Sequence, residues 1–189
     1  MDALLNLRQL VDDFFLFIQS KSIEIYNEFS LQHELGIFLR EKLPDYRIQF
    51  ERNVSYFLIN SKTIKKEIDI SIFNDDKSER YAIELKHPLN EQYPEQMYSF
   101  VKDVKFMEQL KENGFTKTAV VVLVSDRPFY EGRSNQGIYK YFRNEYMVYG
   151  DVLKPTGAMK GKEFISLKGT YNFSWKSAGN NKKYFMIEV

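Results

Sequence analysis

Two carboxylates and a lysine lie on two neighbouring segments of this chain, at spacings that suit the binding of a divalent cation. Asp69 belongs to the run Glu67–Phe73, and Glu84 and Lys86 belong to the run Arg80–Lys86. Apolar and polar residues alternate in both runs, as is typical of half-buried β-strands. Residues two apart share one face of a strand, so Glu84 and Lys86 are predicted to project together. Because Mg²⁺ binds one or two carboxylates together with phosphate oxygens and water, the pattern predicts a magnesium site with a cation beside it.

The segment between the two runs is typical of a tight turn. Its residues, Asn74-Asp75-Asp76-Lys77-Ser78, predict that the runs pair as a β-hairpin. Strict alternation also predicts that Asp69 projects away from a face shared by Ile68, Ile70 and Ile72. The hairpin would therefore bring the polar residues of its two strands together.

The order of the surrounding elements predicts an α/β core that holds this hairpin. Apolar spacing predicts helices from about Asp2 to Gln19, from Glu24 or Ser30 to Lys42, and from Glu95 to Asn113. Further strands are predicted at Arg47–Glu51, Val54–Ile59 and, buried on both faces, Thr118–Ser125. Beyond them we predict a short helix at Ile138–Phe142 and strands at Phe164–Leu167, Tyr171–Trp175 and Tyr184–Val189. The chain shows no internal repeat and no linker, so residues 1–189 are predicted to form one domain.

Composition excludes several classes of protein. The 189 residues are 43% hydrophobic and 28% charged, which is typical of a soluble domain. The absence of cysteine excludes disulfides and thiolate metal sites and favours an intracellular location. Asp2, Asp12 and Asp13 interrupt the N-terminal apolar pattern, unlike in a signal peptide, and no stretch approaches the roughly 20 apolar residues of a membrane span. We therefore predict a cytoplasmic protein that does not enter a membrane.

The site residues and their context resemble the active-site motif of the PD-(D/E)XK nuclease superfamily, which has the restriction-endonuclease-like fold. Asp69 is followed after 14 residues by Glu84-Leu85-Lys86, although Ile68 precedes the aspartate where proline is usual. The element order over about Leu31 to Ser125 matches the α-β-β-β-α-β core of that superfamily. Glu34 lies where many members carry a glutamate on the first helix.

The resemblance implies a fold class and a role for each residue. The fold would be α/β, with a restriction-endonuclease-like α-β-β-β-α-β core, a mixed central sheet, an N-terminal helix and extra C-terminal strands. Asp69 and Glu84 would bind Mg²⁺, for which Mn²⁺ would substitute, with the carbonyl of Leu85 as a third ligand. Lys86 would orient the attacking water or stabilise the transition state. Glu34 would complete the site through a water or a second ion.

Nucleic acid is the partner that this resemblance implies. Gln96 resembles a glutamine that follows the active-site lysine in some nucleases, and Lys102 lies on the same predicted helix. Arg127 and Arg133 follow a buried strand, where ligands often bind, and are candidates for phosphate contacts. Residues 126–189 carry 11 Lys and Arg against 6 Asp and Glu, a balance that suits a phosphate backbone but equally a solvated surface.

The predicted function is a metal-dependent endo- or exonuclease that cleaves DNA, and duplex cutting by one small domain would favour a homodimer. One alternative is a catalytically silent nucleic-acid-binding or protein-interaction module on the same fold, and another is an RNA-directed nuclease. A plainer interpretation also exists, because a glutamate and a lysine two apart are common on exposed strands as weak ion pairs. Glu51 and Glu67 are further candidates, since each strand could turn them inward or leave them solvated.

Overall fold

A mixed six-stranded sheet forms the centre of the computed structural model, which describes residues 4–57, 59 and 62–189. The strands are β1 (Arg47–Asn53), β2 (Glu67–Phe73), β3 (Arg80–Lys86), β4 (Lys117–Val124), β5 (Met147–Leu153), β6 (Phe164–Asn172), β7 (Lys176–Gly179) and β8 (Lys182–Glu188). The central order is β1-β2-β3-β4-β8-β7, in which only β3 and β4 are parallel neighbours. Strands β5 and β6 form a separate antiparallel hairpin. The predicted α/β class with a mixed sheet is confirmed.

Three α-helices cover the two faces of the sheet within the described ranges: α1 (Leu7–Ser20), α2 (Glu28–Lys42) and α3 (Tyr93–Glu112). Helix α2 begins at a capping box, in which Asn27 and Ser30 each bond the backbone of the other. Helix α3 has proline in its first turn and is followed by Gly114 at φ +89°, a backbone conformation that favours glycine. None of these helices is both long and apolar enough to cross a membrane.

The two faces of the sheet pack into two separate hydrophobic cores. Helices α1 and α2 pack on the face that carries Ile83, Leu85 and Val121, and α3 packs on the face that carries Val120 and Val122. All these residues are fully buried. Since β4 is apolar on both sides, its continuous β-branched run is accounted for by burial under helices on each face. The hairpin β2–β3 is therefore clamped between two helical layers.

Several predicted elements differ from those observed. Val54–Phe57 forms a 3-10 turn instead of a strand, because the side chain of Asn53 accepts a hydrogen bond from Ser55 N at 3.0 Å and closes a turn there. The short helix predicted at Ile138–Phe142 is present but shifted toward the C-terminus: residues 139–140 are α-helical and run into a π-helical turn at Tyr141–Glu145. The predicted strand Phe164–Leu167 and the first two residues of the predicted strand Tyr171–Trp175 belong to one continuous strand, β6, and neither β5 nor β7 was predicted. Predicted helix residues 2–3 and strand residue 58 lie outside the described residues.

One buried carboxylate attaches the β5–β6 hairpin to α3. Glu108 Oε1 accepts hydrogen bonds from Lys168 N at 2.7 Å, from Gly169 N at 2.9 Å and from the Tyr171 hydroxyl at 2.9 Å. Its other oxygen pairs with the Lys105 ammonium at 2.9 Å. Burial raises the pKa of Glu108, but these hydrogen bonds outweigh burial and hold the pKa below its ordinary value. The hairpin is thus fixed to the helix by charge-assisted hydrogen bonds.

We expect Glu108→Ala to lower the free energy of unfolding by about 2–3 kcal/mol, because it leaves several donors unpaired at a buried position. Denaturant titration at neutral pH would measure this loss. The control is Glu112→Ala, which removes an exposed partner of Lys168 and should change stability by less than about 1 kcal/mol. Because the pKa of Glu108 is depressed in the folded protein, its contribution is present at neutral pH and is lost as pH falls through that pKa. Equal losses in the two variants would contradict this role for Glu108.

Candidate active site

The backbone pairing between β2 and β3 does not extend to Asp69 and Glu84. Ile70 and Ile83 are the last partners in the ladder. Beyond them, side chains take the place of backbone partners: Leu85 N donates to Asp69 Oδ2 at 2.7 Å, and Asp69 N donates to Glu84 Oε1 at 3.2 Å. Each acid therefore bonds the backbone of the opposite strand. This exchange holds the two carboxylates together at the open end of the hairpin.

A distortion in β1 lies opposite Asp69. Glu51 has φ of +48°, in the left-handed region that non-glycine residues rarely adopt, and the β1–β2 partners skip the pair that it would form with Asp69. Ile68 packs in the core under α3, whereas Ile70 and Ile72 pack in the core under α1 and α2. The prediction that all three isoleucines share one face is wrong, because strict alternation breaks at Asp69.

Glu84 and Asp103 form a buried chain of charges with two lysines. The side chains of Glu84 and Asp103 are 0% and 4% exposed. The ammonium group of Lys65 contacts Glu84 Oε2 and lies 3.2 Å from Asp103 Oδ1. The second oxygen of Asp103 lies 3.6 Å from Lys86 Nζ and accepts no hydrogen bond. Buried carboxylates need such cations, because their charge is poorly solvated inside the protein.

Lys86 is held at the end of β3 as a protonated amine. Its Nζ donates to the carbonyl oxygen of Leu85 at 2.9 Å and to Glu28 Oε1 at 3.3 Å. Burial alone would lower the pKa of Lys86, but the carboxylates of Asp103, Glu28 and Asp69 outweigh burial and raise it. A permanently charged ammonium group can stabilise negative charge on a phosphate, but it cannot act as a general base near neutral pH.

Asp69 lines a small acidic cleft between α2 and the sheet. The cleft has a volume of about 280 Å³ and is lined by Glu28, Phe29, Gln32, Glu51, Asp69 and Leu85. The side-chain amide of Gln32 donates to Glu51 Oε1 at 2.6 Å and to the carbonyl oxygen of Asp69 at 2.8 Å. Burial raises the pKa of Asp69 to about 6, even though the charge of Lys65 and the Leu85 N–H lower it. At neutral pH the Asp69 carboxylate is therefore negatively charged, and its neighbours do not fully offset the cost of burying that charge.

The structure brings together Asp69, Glu84, Leu85 and Lys86, as the sequence predicted, but does not bring Glu34 to them. Helix α2 contributes Glu28, Phe29 and Gln32 to the cleft, and Glu34 is not part of its lining. Glu34 follows Gln32 by two residues, which turns its side chain by about 200° around the helix axis. Of the two further acids considered, Glu51 lines the cleft and Glu67 is exposed.

Three charged residues of the site were not identified from sequence. Asp103 had a detectable signal, because it lies three residues after Phe100 on the apolar stripe of α3, where an acid needs a buried partner. Glu28 follows the N-cap of α2, and its two oxygens accept hydrogen bonds from Lys86 Nζ and His87 N. Lys65 lies in a segment without periodicity, and nothing in its sequence context indicates its position.

The predicted nucleic-acid contacts lie outside this cluster. The side chain of Gln96 donates to Asn90 at 3.1 Å, and Lys102 is exposed on α3. Arg127 forms an exposed ion pair with Glu131, and Arg133 is exposed. Arg127 nevertheless follows the C-terminal end of β4, which lies beside the C-terminal end of β3 because these strands are parallel. That these four residues contact nucleic acid stays a prediction.

The charges of the cluster suit a divalent cation. It contains four carboxylates and two ammonium groups: Glu28, Asp69, Glu84, Asp103, Lys65 and Lys86. When all are ionised, two negative charges remain uncompensated. Among the described residues, no three His, Asp or Glu side chains form a ready-made metal-binding group. Mg²⁺ requires only one or two carboxylates, with water and phosphate oxygens completing its shell, and Asp69 with Glu84 fits that requirement.

Comparison of the chain with family models, with curated proteins and with solved structures gave no match. Membership of the PD-(D/E)XK superfamily therefore stays a prediction.

Proposed function

We propose that this protein is a divalent-metal-dependent nuclease that hydrolyses phosphodiester bonds in DNA. The observation that carries the proposal is the convergence of Asp69, Glu84 and Lys86 where β2 and β3 separate. The chain order α2-β1-β2-β3-α3-β4, with β3 and β4 parallel, agrees with a restriction-endonuclease-like core. Order and site thus support the same class of enzyme.

Asp69 and Glu84 are the residues that would hold Mg²⁺ or Mn²⁺, with the Leu85 carbonyl as a third ligand. A divalent cation bound to such carboxylates lowers the pKa of a coordinated water and stabilises charge that develops on a phosphate. Asp69 is charged above a pH of about 6, so at neutral pH it is ready to bind a cation. Gln32 fixes the backbone of Asp69 through the carbonyl oxygen and so positions this carboxylate.

In this mechanism, Lys86 is the side chain that supplies a positive charge next to the phosphate. Its ammonium group lies 2.9 Å from the carbonyl oxygen of Leu85, adjacent to the proposed ligands. A protonated lysine held here donates a hydrogen bond to a phosphate oxygen or to the attacking water, and it stabilises charge that grows in the transition state. The buried carboxylate of Asp103 positions Lys86, because Asp103 Oδ2 lies 3.6 Å from the Lys86 ammonium group.

Cleavage assays test the proposal directly. Purified protein is incubated with plasmid, linear duplex and single-stranded DNA, and with RNA of matched sequence, in Mg²⁺, in Mn²⁺ and in a chelator. We expect cleavage of DNA that requires the metal and that disappears in Asp69→Ala. The control Asp75→Ala, at a side chain that is 83% exposed, should cleave normally. Cleavage that survives Asp69→Ala, or that proceeds in chelator, would refute the proposal, and cleavage of RNA alone would favour the RNA-directed alternative.

A catalytically silent nucleic-acid-binding module is the second candidate, and one observation favours it. Both oxygens of Glu84 already have protein partners, Asp69 N and the ammonium group of Lys65. A module without turnover would show little change in Mg²⁺ affinity when Glu84 is replaced. Calorimetric titration of wild type and Glu84→Gln separates the two functions, because a nuclease of the proposed type loses metal affinity in this variant.

A further inference from the structure

Lys65 is the most accessible member of the buried charge chain. Its side chain is 26% exposed, whereas Glu84 and Asp103 are 0% and 4% exposed. The Lys65 side chain therefore reaches the two carboxylates from the solvent side. It can move out to solvent without displacing any residue of the hydrophobic cores.

The segment that carries Lys65 is anchored through residues 63–65, whereas the Lys65 ammonium group is held by Glu84 and Asp103 and lies 5.7 Å from the centre of the Phe106 ring. Ile64 N donates to Gln109 Oε1 on α3 at 2.8 Å, and the hydroxyl of Thr63 donates to the carbonyl oxygen of Lys65 at 2.6 Å. The first bond fixes the residue before Lys65 and the second fixes the Lys65 carbonyl, so neither involves the Lys65 side chain. A long lysine side chain has several rotatable bonds beyond that anchor, so its ammonium group can exchange one position for another.

The position of the Lys65 ammonium group coincides with the place where a cation is needed. It contacts Glu84, one of the two proposed metal ligands, and its charge also acts on Asp69, the other. It also lies 3.2 Å from Asp103 Oδ1, while the other oxygen of Asp103 faces Lys86 at 3.6 Å, so Lys65 and Lys86 lie on either side of this buried carboxylate. A divalent ion bound to Asp69 and Glu84 would meet a like charge within hydrogen-bond distance of its ligand.

We infer that Lys65 is a built-in competitor for the metal: its ammonium group occupies the cation position between Glu84 and Asp103 and withdraws to solvent when a divalent cation binds. Its departure would leave Glu84 Oε2 without its ammonium partner and so available to hold the ion. This inference rests on the proposed function, because it takes Asp69 and Glu84 as the metal ligands. It assigns to Lys65 control over the metal concentration at which the site fills.

Binding of Mn²⁺, measured by calorimetry or by loss of the free-ion paramagnetic resonance signal, tests the inference without any substrate. We expect Lys65→Gln to bind Mn²⁺ roughly tenfold tighter than wild type or better, because a like charge beside the ligands is removed. Lys65→Arg keeps the charge and should bind as weakly as wild type. The matched control Lys102→Gln, at an exposed lysine next to Asp103 in sequence, should leave the affinity unchanged.

A second measurement uses the wild-type chain and does not depend on how a variant folds. Lysines are acylated briefly with an amine-reactive reagent, and peptide mass spectrometry gives the extent of labelling at each position. Lys65 should be protected in the metal-free protein and labelled several-fold faster in saturating Mn²⁺, while labelling of Lys102 stays constant. Unchanged or reduced labelling of Lys65 in Mn²⁺ would overturn the inference.

The possible failures are distinguishable. If wild type binds Mn²⁺ and Lys65→Gln binds it no tighter, the competitor role is wrong and the proposed nuclease stands. If neither wild type nor Lys65→Gln binds Mn²⁺ at millimolar concentration, both the inference and the metal-dependent function are wrong.

Discussion

Asp69→Asn is expected to abolish metal-dependent cleavage and, at the same time, to stabilise the metal-free protein. The amide oxygen of asparagine can still accept the hydrogen bond from Leu85 N that Asp69 Oδ2 accepts at 2.7 Å. The variant loses only the negative charge, which the metal needs and which burial disfavours. Cleavage should fall by roughly 10³-fold, the upper end of the effect of removing one group that stabilises a transition state.

The stability change follows from the pKa of Asp69. Burial raises this pKa from 3.8 to about 6, so the folded protein binds a proton more tightly than the unfolded chain does. The stabilisation from that proton is present below pH 3.8 and is lost as pH rises through about 6, on the order of 3 kcal/mol in all. The Asp69→Asn variant has no carboxyl group at this position, so its stability does not fall in this pH range for that reason. Its free energy of unfolding should therefore exceed that of wild type at pH 7 and approach it at pH 4.

Chemical denaturation at several pH values, in chelator, measures this difference. Asp75→Asn is the control, because Asp75 is exposed and its charge is solvated. A variant Asp69→Asn that is less stable than wild type at pH 7 would show that the Asp69 charge is compensated in the folded state, contrary to the geometry described above.

Lys86→Met is expected to reduce cleavage by about 10²–10³-fold while Mn²⁺ still binds. The ammonium group is a neighbour of the proposed ligands and not a ligand, so its loss removes stabilisation of the transition state and leaves the cation site intact. Metal affinity should rise slightly, because a positive charge beside the site has gone. Single-turnover cleavage at saturating metal, together with Mn²⁺ titration, separates the two effects.

Folding must be measured in the same variant, because Lys86 also partners Asp103 and Glu28. Lys86→Arg keeps the charge and should retain the fold, and Lys117→Met removes a lysine that pairs with Glu188 at the other end of β4. Lys117→Met should cleave like wild type. A Lys86→Met protein that is folded and cleaves at the wild-type rate would remove Lys86 from the mechanism.

The hairpin and its three polar residues were predictable because the pattern is local. Alternation indicates each strand, and the short polar turn between Phe73 and Arg80 favours antiparallel pairing of the two. The position of Glu34 was predicted by resemblance, but the phase of α2 decides which side chains reach the sheet, and that phase depends on tertiary packing. Helix phase placed Glu28 and Gln32 at the cleft instead.

The elements and site residues that could not be predicted lie where the chain departs from regular alternation or helical periodicity. Strand β5 contains Gly150 at φ +61°, and its register with β6 shifts between Tyr149 and Asp151, so it shows no clean alternation. The left-handed backbone of Glu51 and the loss of alternation at Asp69 arise where three strands meet. Lys65 reaches the site from a segment without regular structure, and such long-range contacts leave no trace in local spacing.

Helix α3 is held by buried carboxylates on two different sides. Asp103 points toward Lys65 and Lys86, and Glu108, five residues later, accepts the hydrogen bonds of the β5–β6 hairpin. Five residues correspond to about 140° around a helix axis, so the two acids lock both the height and the rotation of the helix. Deleting or inserting one residue between them would rotate one acid by about 100° around the helix axis and would bury its charge in an apolar layer without a partner. The stretch from Asp103 to Glu108 is therefore a segment of fixed length.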